Sequence, residues 1–341
     1  MIVADLDIAR AAAHLADGAL VAFPTETVYG LGADATNPAA VAAIYRAKGR
    51  PAGHPLIVHV ASDADLEFWT PVLPPLARTL VDRFWPGPLT LILPRAANVG
   101  EAAAGGQETI GLRCPAHPVA QRLLRAFAAE RHERAMTIAG IGIAAPSANR
   151  FGRISPTTAA HVRAEFAIGR SSASRERIDE RIEILDGGAC PLGIESTIVD
   201  CSRLSTIGLV LLRPGSVTAA MIAEAIGIAP LAPDAAAPRA SGSLAAHYAP
   251  TTPLMLVDAD ALADAPSDVA VWTHSAKAAV MRKTWHAAPR DAARYAHDLY
   301  EMLRRLDVSG AREIWIERPP EGLEWAAIND RLRRAATGSG R

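Results

Sequence analysis

A series of short apolar runs, each closed by proline, glycine or a polar turn, constrains the fold of this chain more than any other feature. They are "GALVAF" (18–23), "PLIVHV" (55–60), "LTLILP" (89–94), "TIGLRCP" (109–115), "GIAAPSAN" (142–149), "IESTIVDC" (194–201) and "LVLLRPG" (209–215). Runs this short, rich in β-branched residues and punctuated by turn formers, predict buried strands rather than helices. Helical patterns separate them: "DIARAAAHLADG" stopped by Gly18, "NPAAVAAIYRAKG", "HPVAQRLLRAFAAE", and "ISPTTAAHVRAEF" with a Ser or Thr cap. In the second of these Asn37 is placed to cap the helix, Pro38 to open it and Gly49 to end it, with Val41, Ile44 and Tyr45 apolar. Strands alternating with helices over residues 1–225 predict an α/β unit around a mixed, twisted sheet.

Around 226–252 the pattern lapses into a Pro- and Ala-rich stretch of semi-extended character, including "PLAPDAAAPRASGSLAAHYAP". The His and Tyr of its "HYAP" are residues a mere spacer does not need. Beyond it, "LMLVD", "VAVWTH" and "REIWIE" predict strands. "RDAARYAHDLYEMLRRLD" predicts an amphipathic helix with Tyr295, Leu299, Met302, Leu303 and Leu306 on one face, and "GLEWAAINDRLRRAA" a closing helix. The expected organisation is a first unit over 1–225, a linker over 226–252, a smaller three-layer, Rossmann-like α/β domain over 253–336, and a tail at 337–341. The hydrophilic, arginine-rich stretch 169–183 reads as a solvated insertion.

At 341 residues two domains are the better expectation, and a net charge of −1 with a pI near 6.8 gives no global pointer to nucleic acid or membrane. Cys114, Cys190 and Cys201 have neither C-x-x-C spacing nor an even count, so reduced thiols are expected. The first residues lack the basic region of a signal peptide, and no apolar run approaches the roughly 20 residues of a membrane span, so a soluble, cytoplasmic protein is expected. Only Lys48, Lys277 and Lys283 among the 35 basic residues are lysines. A compact ammonium and a planar guanidinium are not interchangeable, which draws attention to Lys48.

Several familiar signals are absent or misleading. There is no G-x-x-x-x-G-K-[ST], no H-E-x-x-H and no G-x-S-x-G. "GIGIAA" (140–145) fits a dinucleotide fingerprint but runs into "PSAN", whose proline breaks the required helix. What remains is a dispersed set of cations and hydroxyls where strands or helices end. "FPTETVYGLGADA" (23–35) puts hydroxyls, a carboxylate and glycines after a strand broken by Pro24. Lys48 and Arg50 in "KGRP" either cap a helix or bracket a polyphosphate. "APSANRFGRISPT" (145–157) is either a capping loop or an anion cradle. Arg113, ending its strand, needs a carboxylate partner, from a substrate or from an internal acid. Ser196 and Thr197 are ladder hydroxyls or substrate contacts.

Taken in order, "PTETVYGLG", "KGRP", "PLIVHV", "FWPGPLTLIL", "TIGLRCP", "APSANRFGRISPT", "LGIESTIVD", "LLRPGSV" and "HYAP" closely resemble the YrdC-type threonylcarbamoyl-AMP synthase family in its long two-domain form. The resemblance implies a nucleotidyltransferase that makes L-threonylcarbamoyl-AMP from L-threonine, bicarbonate or CO2, and ATP, releasing pyrophosphate. Its product would feed threonylcarbamoylation of the tRNA adenosine beside the anticodon. The family's K-x-R and S-x-N signature is matched by Lys48, Arg50, Ser147 and Asn149, with Lys48 and Arg50 the implied catalytic cations. The resemblance puts Arg50, His54 (where the family has asparagine), Thr109, Ser147, Asn149, Ser155 and Arg213 on the ATP side, with Tyr248 as a lid. It puts Thr27, His59, Arg113, Ala145 (by its backbone), Ser196 and Thr197 around threonine. Mg²⁺ would arrive on the nucleotide, with no metal ligands expected from the protein. A transient contact with the tRNA threonylcarbamoyl-transfer machinery is implied, and direct RNA binding is a rival use of a basic groove that the chain's lack of a basic tail or RNA-binding motif argues against.

Overall fold

The computed structural model describes residues 3–134, 140–167, 182–275 and 284–340. Helix α1 (Asp5–Ala16) leads into strands β1 (Leu20–Phe23) and β2 (Gly30–Asp34), helix α2 (Pro38–Lys48) and strand β3 (Ile57–His59). Helix α3 (Pro75–Phe84), strand β4 (Leu89–Pro94), the single turn α4 (Glu101–Ala104), strand β5 (Thr109–Arg113) and helix α5 (Pro118–Glu133) follow. The two-residue β6 (Ile143–Ala144), helix α6 (Ala159–Ala167), strands β7 (Ile182–Ile184), β8 (Thr197–Asp200) and β9 (Val210–Arg213), and helix α7 (Ala219–Ile226) complete the first unit. The local signals act as predicted at α2: the Asn37 side chain accepts from the N–H groups of Ala39 and Ala40, and Gly49 ends the helix at φ +62°.

The strands form one nine-stranded mixed sheet in the order β7-β1-β2-β6-β3-β5-β4-β8-β9. β3 and β5 are parallel, as are β4 and β8, whereas β6, β2 and β9 pair antiparallel to their neighbours. Gly32 is required where β2 crosses β1: a Cβ there would lie 2.8 Å from the Phe23 ring and 2.7 Å from Ile143. One core, including Ile44, Val58, Trp69, Leu91 and Leu112, fills the side under α2 and α3. A second, including Leu15, Phe23, Leu123 and Phe127, joins α1 and α5 to the sheet. Of the hydrophilic stretch 169–183, only its last two residues, the start of β7, lie within the described residues.

The smaller domain holds strands β10 (Leu254–Val257), β11 (Val269–Thr273), β12 (Trp285–Ala287), helix α8 (Ala292–Asp307), strand β13 (Glu313–Glu317) and helix α9 (Ala326–Gly338). Its sheet, β10-β13-β11-β12, is parallel throughout. Leu299, Leu303 and Leu306 of α8 and Ile328 and Leu332 of α9 share one core with Trp272, Ile314 and Ile316. On the other face, Leu262 of a 3-10 turn (Ala259–Asp264) packs with Val269 and Val271, so the third layer is thin among the described residues. The linker is no free spacer: Ala240, His247, Tyr248 and Ala249 are all buried. The three cysteines are buried and free, and no helix among the described residues is long and apolar enough to cross a membrane.

Candidate active site

Strand ends and the linker build one buried polar cavity. His59 and Arg113 close the parallel strands β3 and β5 and sit opposite each other in register. They lie where α/β sheets tend to bind ligands, beyond the carboxyl ends of strands. Arg213 closes β9 opposite Ile198, and Ser196 precedes β8. Across from them the 25–28 turn is shaped by the Thr25 hydroxyl, which donates to Val28 O and accepts from the Thr27 and Val28 N–H groups. The cavity is small, about 40 Å³, and its wall includes Thr27, His59, Arg113, Ser147, Glu195, Ser196, Arg213, Gly242 and Tyr248. Two roomier clefts near Ala61 and Asp65 are poorer candidates. The charged residues lining them, Asp65, Glu67, Arg78 and Asp82 among them, are exposed, whereas the charged residues of this cavity are buried.

The Arg113 question resolves in favour of an internal partner without removing the arginine from the site. Its Nη2 donates to Glu26 Oε1 at 2.6 Å and its Nε to Gly87 O at 3.3 Å, while Glu26 Oε2 accepts from Ala116 N at 3.0 Å. Thus Glu26 locks the plane of a guanidinium that still lines the cavity. Arg213 is fixed from behind by Ser196, giving Nε and Nη2 to its carbonyl at 3.1 and 2.8 Å and Nη2 to its hydroxyl at 3.1 Å. Thr90 holds that same hydroxyl at 2.8 Å. Burial, reinforced by Arg113, lowers His59 to about 3, so its imidazole is neutral, and its Nδ1 has no partner among the described residues. Burial likewise lowers His247 to about 3. Two fixed cations, neutral imidazoles and a Tyr248 hydroxyl with no partner among the described residues suit an anionic ligand with polar substituents.

Other expected residues stand just behind this wall. Lys48 caps nothing in its own helix. Its Nζ spans to Ser147 O at 2.5 Å and to Asn149 O, and burial, followed by the nearby Arg50, pushes its pKa well down. Arg50 donates to Pro55 O at 2.9 Å and lies over the Phe151 ring, against which His54 also tilts. The Asn149 amide donates to Arg150 O and Arg153 O, and Ser155 donates to Glu195 at 2.5 Å. Thr109 opens β5 on the same face as Arg113, about 13 Å away at the rise of a strand. Thr197, expected beside threonine, opens β8, and its hydroxyl donates to Val217 O at 2.6 Å.

Sequence reasoning missed Glu26, Thr90, Glu195 and Gly242 as site residues, and marked His247 only as a residue a spacer does not need. "PTETVYGLG" and "LGIESTIVD" displayed both acids, but their partners lie far along the chain. Gly242, at φ +73°, lies where a Cβ would come within 2.2 Å of the Tyr248 hydroxyl and 2.9 Å of Arg213 Nη1. Gly242→Ala therefore forces the roof and a wall cation apart. A loss of about ten-fold or more in turnover is expected, with about 1–2 kcal/mol of stability lost to the left-handed backbone. Parallel kinetics and urea unfolding check both, and unchanged turnover would show that the roof need not lie where it does.

A family model described as "Telomere recombination" matches residues 13–215, and one described as "Threonylcarbamoyl-AMP synthase, C-terminal domain" matches residues 217–337. The threonylcarbamoyl-AMP synthase of Bacillus subtilis is 38% identical, over 98% of this chain and 94% of its own. That of Pyrococcus abyssi is 41% identical over 73% and 67% of the two chains. The crystal structure of Pyrococcus abyssi Sua5 complexed with L-threonine superposes with a TM-score of 0.82 at 33% identity, covering 99% of this chain and 96% of that one.

Proposed function

Because the chain belongs to the threonylcarbamoyl-AMP synthase family, we propose that its buried cavity is where L-threonine and ATP are joined. The activity is synthesis of L-threonylcarbamoyl-AMP, which serves threonylcarbamoylation of tRNA. The observation that carries the site assignment is the convergence of buried Arg113, Arg213, His59, Thr27 and Ser196 on one cavity beneath Tyr248.

In this reading Arg113, held flat by Glu26, takes the threonine carboxylate. Thr27 and Ser196 supply partners for its hydroxyl, a discrimination worth far more than the ~1–3 kcal/mol of a methyl contact. The neutral amine of threonine attacks CO2, supplied as such or from bicarbonate, and releases its proton to solvent to become a carbamate. A carbamate oxygen then attacks the α-phosphorus of ATP, and the bond to pyrophosphate breaks. Such a transfer asks for positioning and charge neutralisation rather than a protein nucleophile. Arg213 neutralises the reacting phosphate, and Lys48 holds the Ser147–Asn149 loop that cradles the nucleotide. The distance from Arg113 to Thr109 gives the nucleotide a floor to lie along, with Arg50, His54, Asn149 and Ser155 behind it and Tyr248 above. Glu195 is the acid among the described lining residues, and both of its oxygens are already engaged. This supports Mg²⁺ entering on the phosphates of ATP. A cytoplasmic location, and residues 1–225 as the catalytic domain with 226–252 as its lid-bearing linker, belong to the same proposal.

The test is pyrophosphate release with ATP, Mg²⁺ and bicarbonate, comparing threonine, serine, valine and no amino acid, with mass analysis of the adenylate. Threonine- and bicarbonate-dependent release accompanied by the threonylcarbamoyl-AMP mass is expected. Release indifferent to the amino acid would overturn the site assignment.

A further inference from the structure

The cavity's wall and roof are both held from outside the catalytic unit. Glu195 is buried; its Oε1 accepts from Ser155, and its Oε2 accepts from the Tyr300 hydroxyl at 2.7 Å and from Arg331 Nε at 2.9 Å. Tyr300 lies on α8 and Arg331 on α9 of the smaller domain. The fully buried Arg331 also donates to Asp330 at 2.6 Å and to Pro214 O at 3.0 Å. The same two residues grip the roof: the Arg331 guanidinium lies 5.3 Å over the Tyr248 ring, and the Tyr300 ring stacks on Tyr248 at 5.7 Å. Tyr248 is a non-glycine residue at φ +62°, a conformation costing about 1–3 kcal/mol that persists only where the surroundings impose it. One turn along α9, the Arg334 guanidinium donates to Ser243 O at 2.7 Å and its backbone carbonyl accepts from His247 N at 3.2 Å, clamping the linker before Tyr248.

Packing two domains does not require a carboxylate and a guanidinium sealed from water, since apolar side chains of similar volume do that as well or better. What the ionic arrangement adds is direction: one cation fixes the acid on the wall and the ring on the roof at once. We propose that Arg331 and Tyr300 are positioning residues for the synthase, through which the smaller domain sets Glu195 with its Ser155 hydroxyl and the Tyr248 roof in the geometry that binds ATP. The proposal rests on the site assignment above. Burial alone would raise the Glu195 carboxyl, yet Arg331, Arg213 and Ser155 together hold it at about 2, in keeping with a fixed charge.

The experiment uses the full chain and two readouts: the Kd for ATP without threonine, and pyrophosphate release with ATP and threonine varied separately. Tyr300→Phe keeps the ring and removes one hydroxyl. We expect it to raise both Kd and KM for ATP about five-fold, leave KM for threonine within about two-fold, and keep the unfolding midpoint. Arg331→Met strands a buried carboxylate and falls further or fails to fold. Adding Glu195→Gln to it should restore folding without restoring ATP affinity. Wild-type Kd and KM for ATP in Tyr300→Phe would overturn the proposal, as would an equal loss in kcat and both KM values with a lowered midpoint. If the wild-type protein binds ATP yet releases no pyrophosphate with threonine, the site assignment fails, while the Kd comparison still decides this proposal. A wild-type protein that does not bind ATP overturns both.

Discussion

In an Arg113→Met variant, kcat/KM for threonine falls by about a hundred-fold or more while ATP binding survives. The arginine closes β5, and its Nη1 has no protein partner among the described residues. A hydrogen bond to a charged group contributes about 1.5–3 kcal/mol, and a bidentate clamp lies at or above the upper end. The variant carries a second penalty, because Glu26 would then be buried without its cation. Breaking such a pair from one side costs about 3–5 kcal/mol. The two effects separate in the double variant Glu26→Gln with Arg113→Met, which should regain most of the stability and none of the threonine use. Urea unfolding and threonine titration at saturating ATP measure them. A folded Arg113→Met protein with wild-type KM for threonine would remove the carboxylate clamp from the mechanism.

Lys48→Met should lower kcat/KM for ATP by about two to three orders of magnitude. Its ammonium fastens the loop carrying Ser147 and Asn149 to the end of α2, and Phe151 N returns the contact at Lys48 O. Without it two carbonyls are left short of a donor, each costing about 1–3 kcal/mol if buried, and the loop is free to leave the nucleotide. Lys48→Arg should not rescue, since the site is sealed and a planar fork cannot aim a single nitrogen at both carbonyls. Steady-state kinetics in ATP, with circular dichroism to confirm folding, check the pair of variants. Turnover near wild type in a folded Lys48→Met protein would dismiss the loop and the lysine together.

The sequence announced the strands because their closing prolines and glycines are local signals, and it placed most of the cavity because sites gather where strands end. Arg113, Arg213, His59 and Ser196 were legible for that reason. Lys48 was legible as an unusual residue, but whether it caps a helix, meets phosphate or ties a loop depends on where the 147–149 carbonyls arrive from another part of the chain. Glu26 and Glu195 stood in quoted motifs, yet an acid reads the same whether it faces solvent or a guanidinium. Arg331 meets Glu195 across a separation of 136 residues, with no periodicity to mark the pair. For Thr197 strand alternation gives a side, not a partner, and the Val217 carbonyl that accepts from its hydroxyl lies 20 residues on.

The order of the large sheet also bears on how the chain comes to be folded at all. β1 lies between its near neighbour β2 and the much later β7, and β4 between β5 and β8. During synthesis β1 and β4 must therefore wait with an unpaired edge while about 160 and about 100 further residues are made. Pairings so distant along the sequence close slowly, and the waiting edges invite other chains. Helices α1, α2 and α5, which form fast from local contacts, can cover the apolar faces of those strands early, but the edges stay open until β7 and β8 arrive.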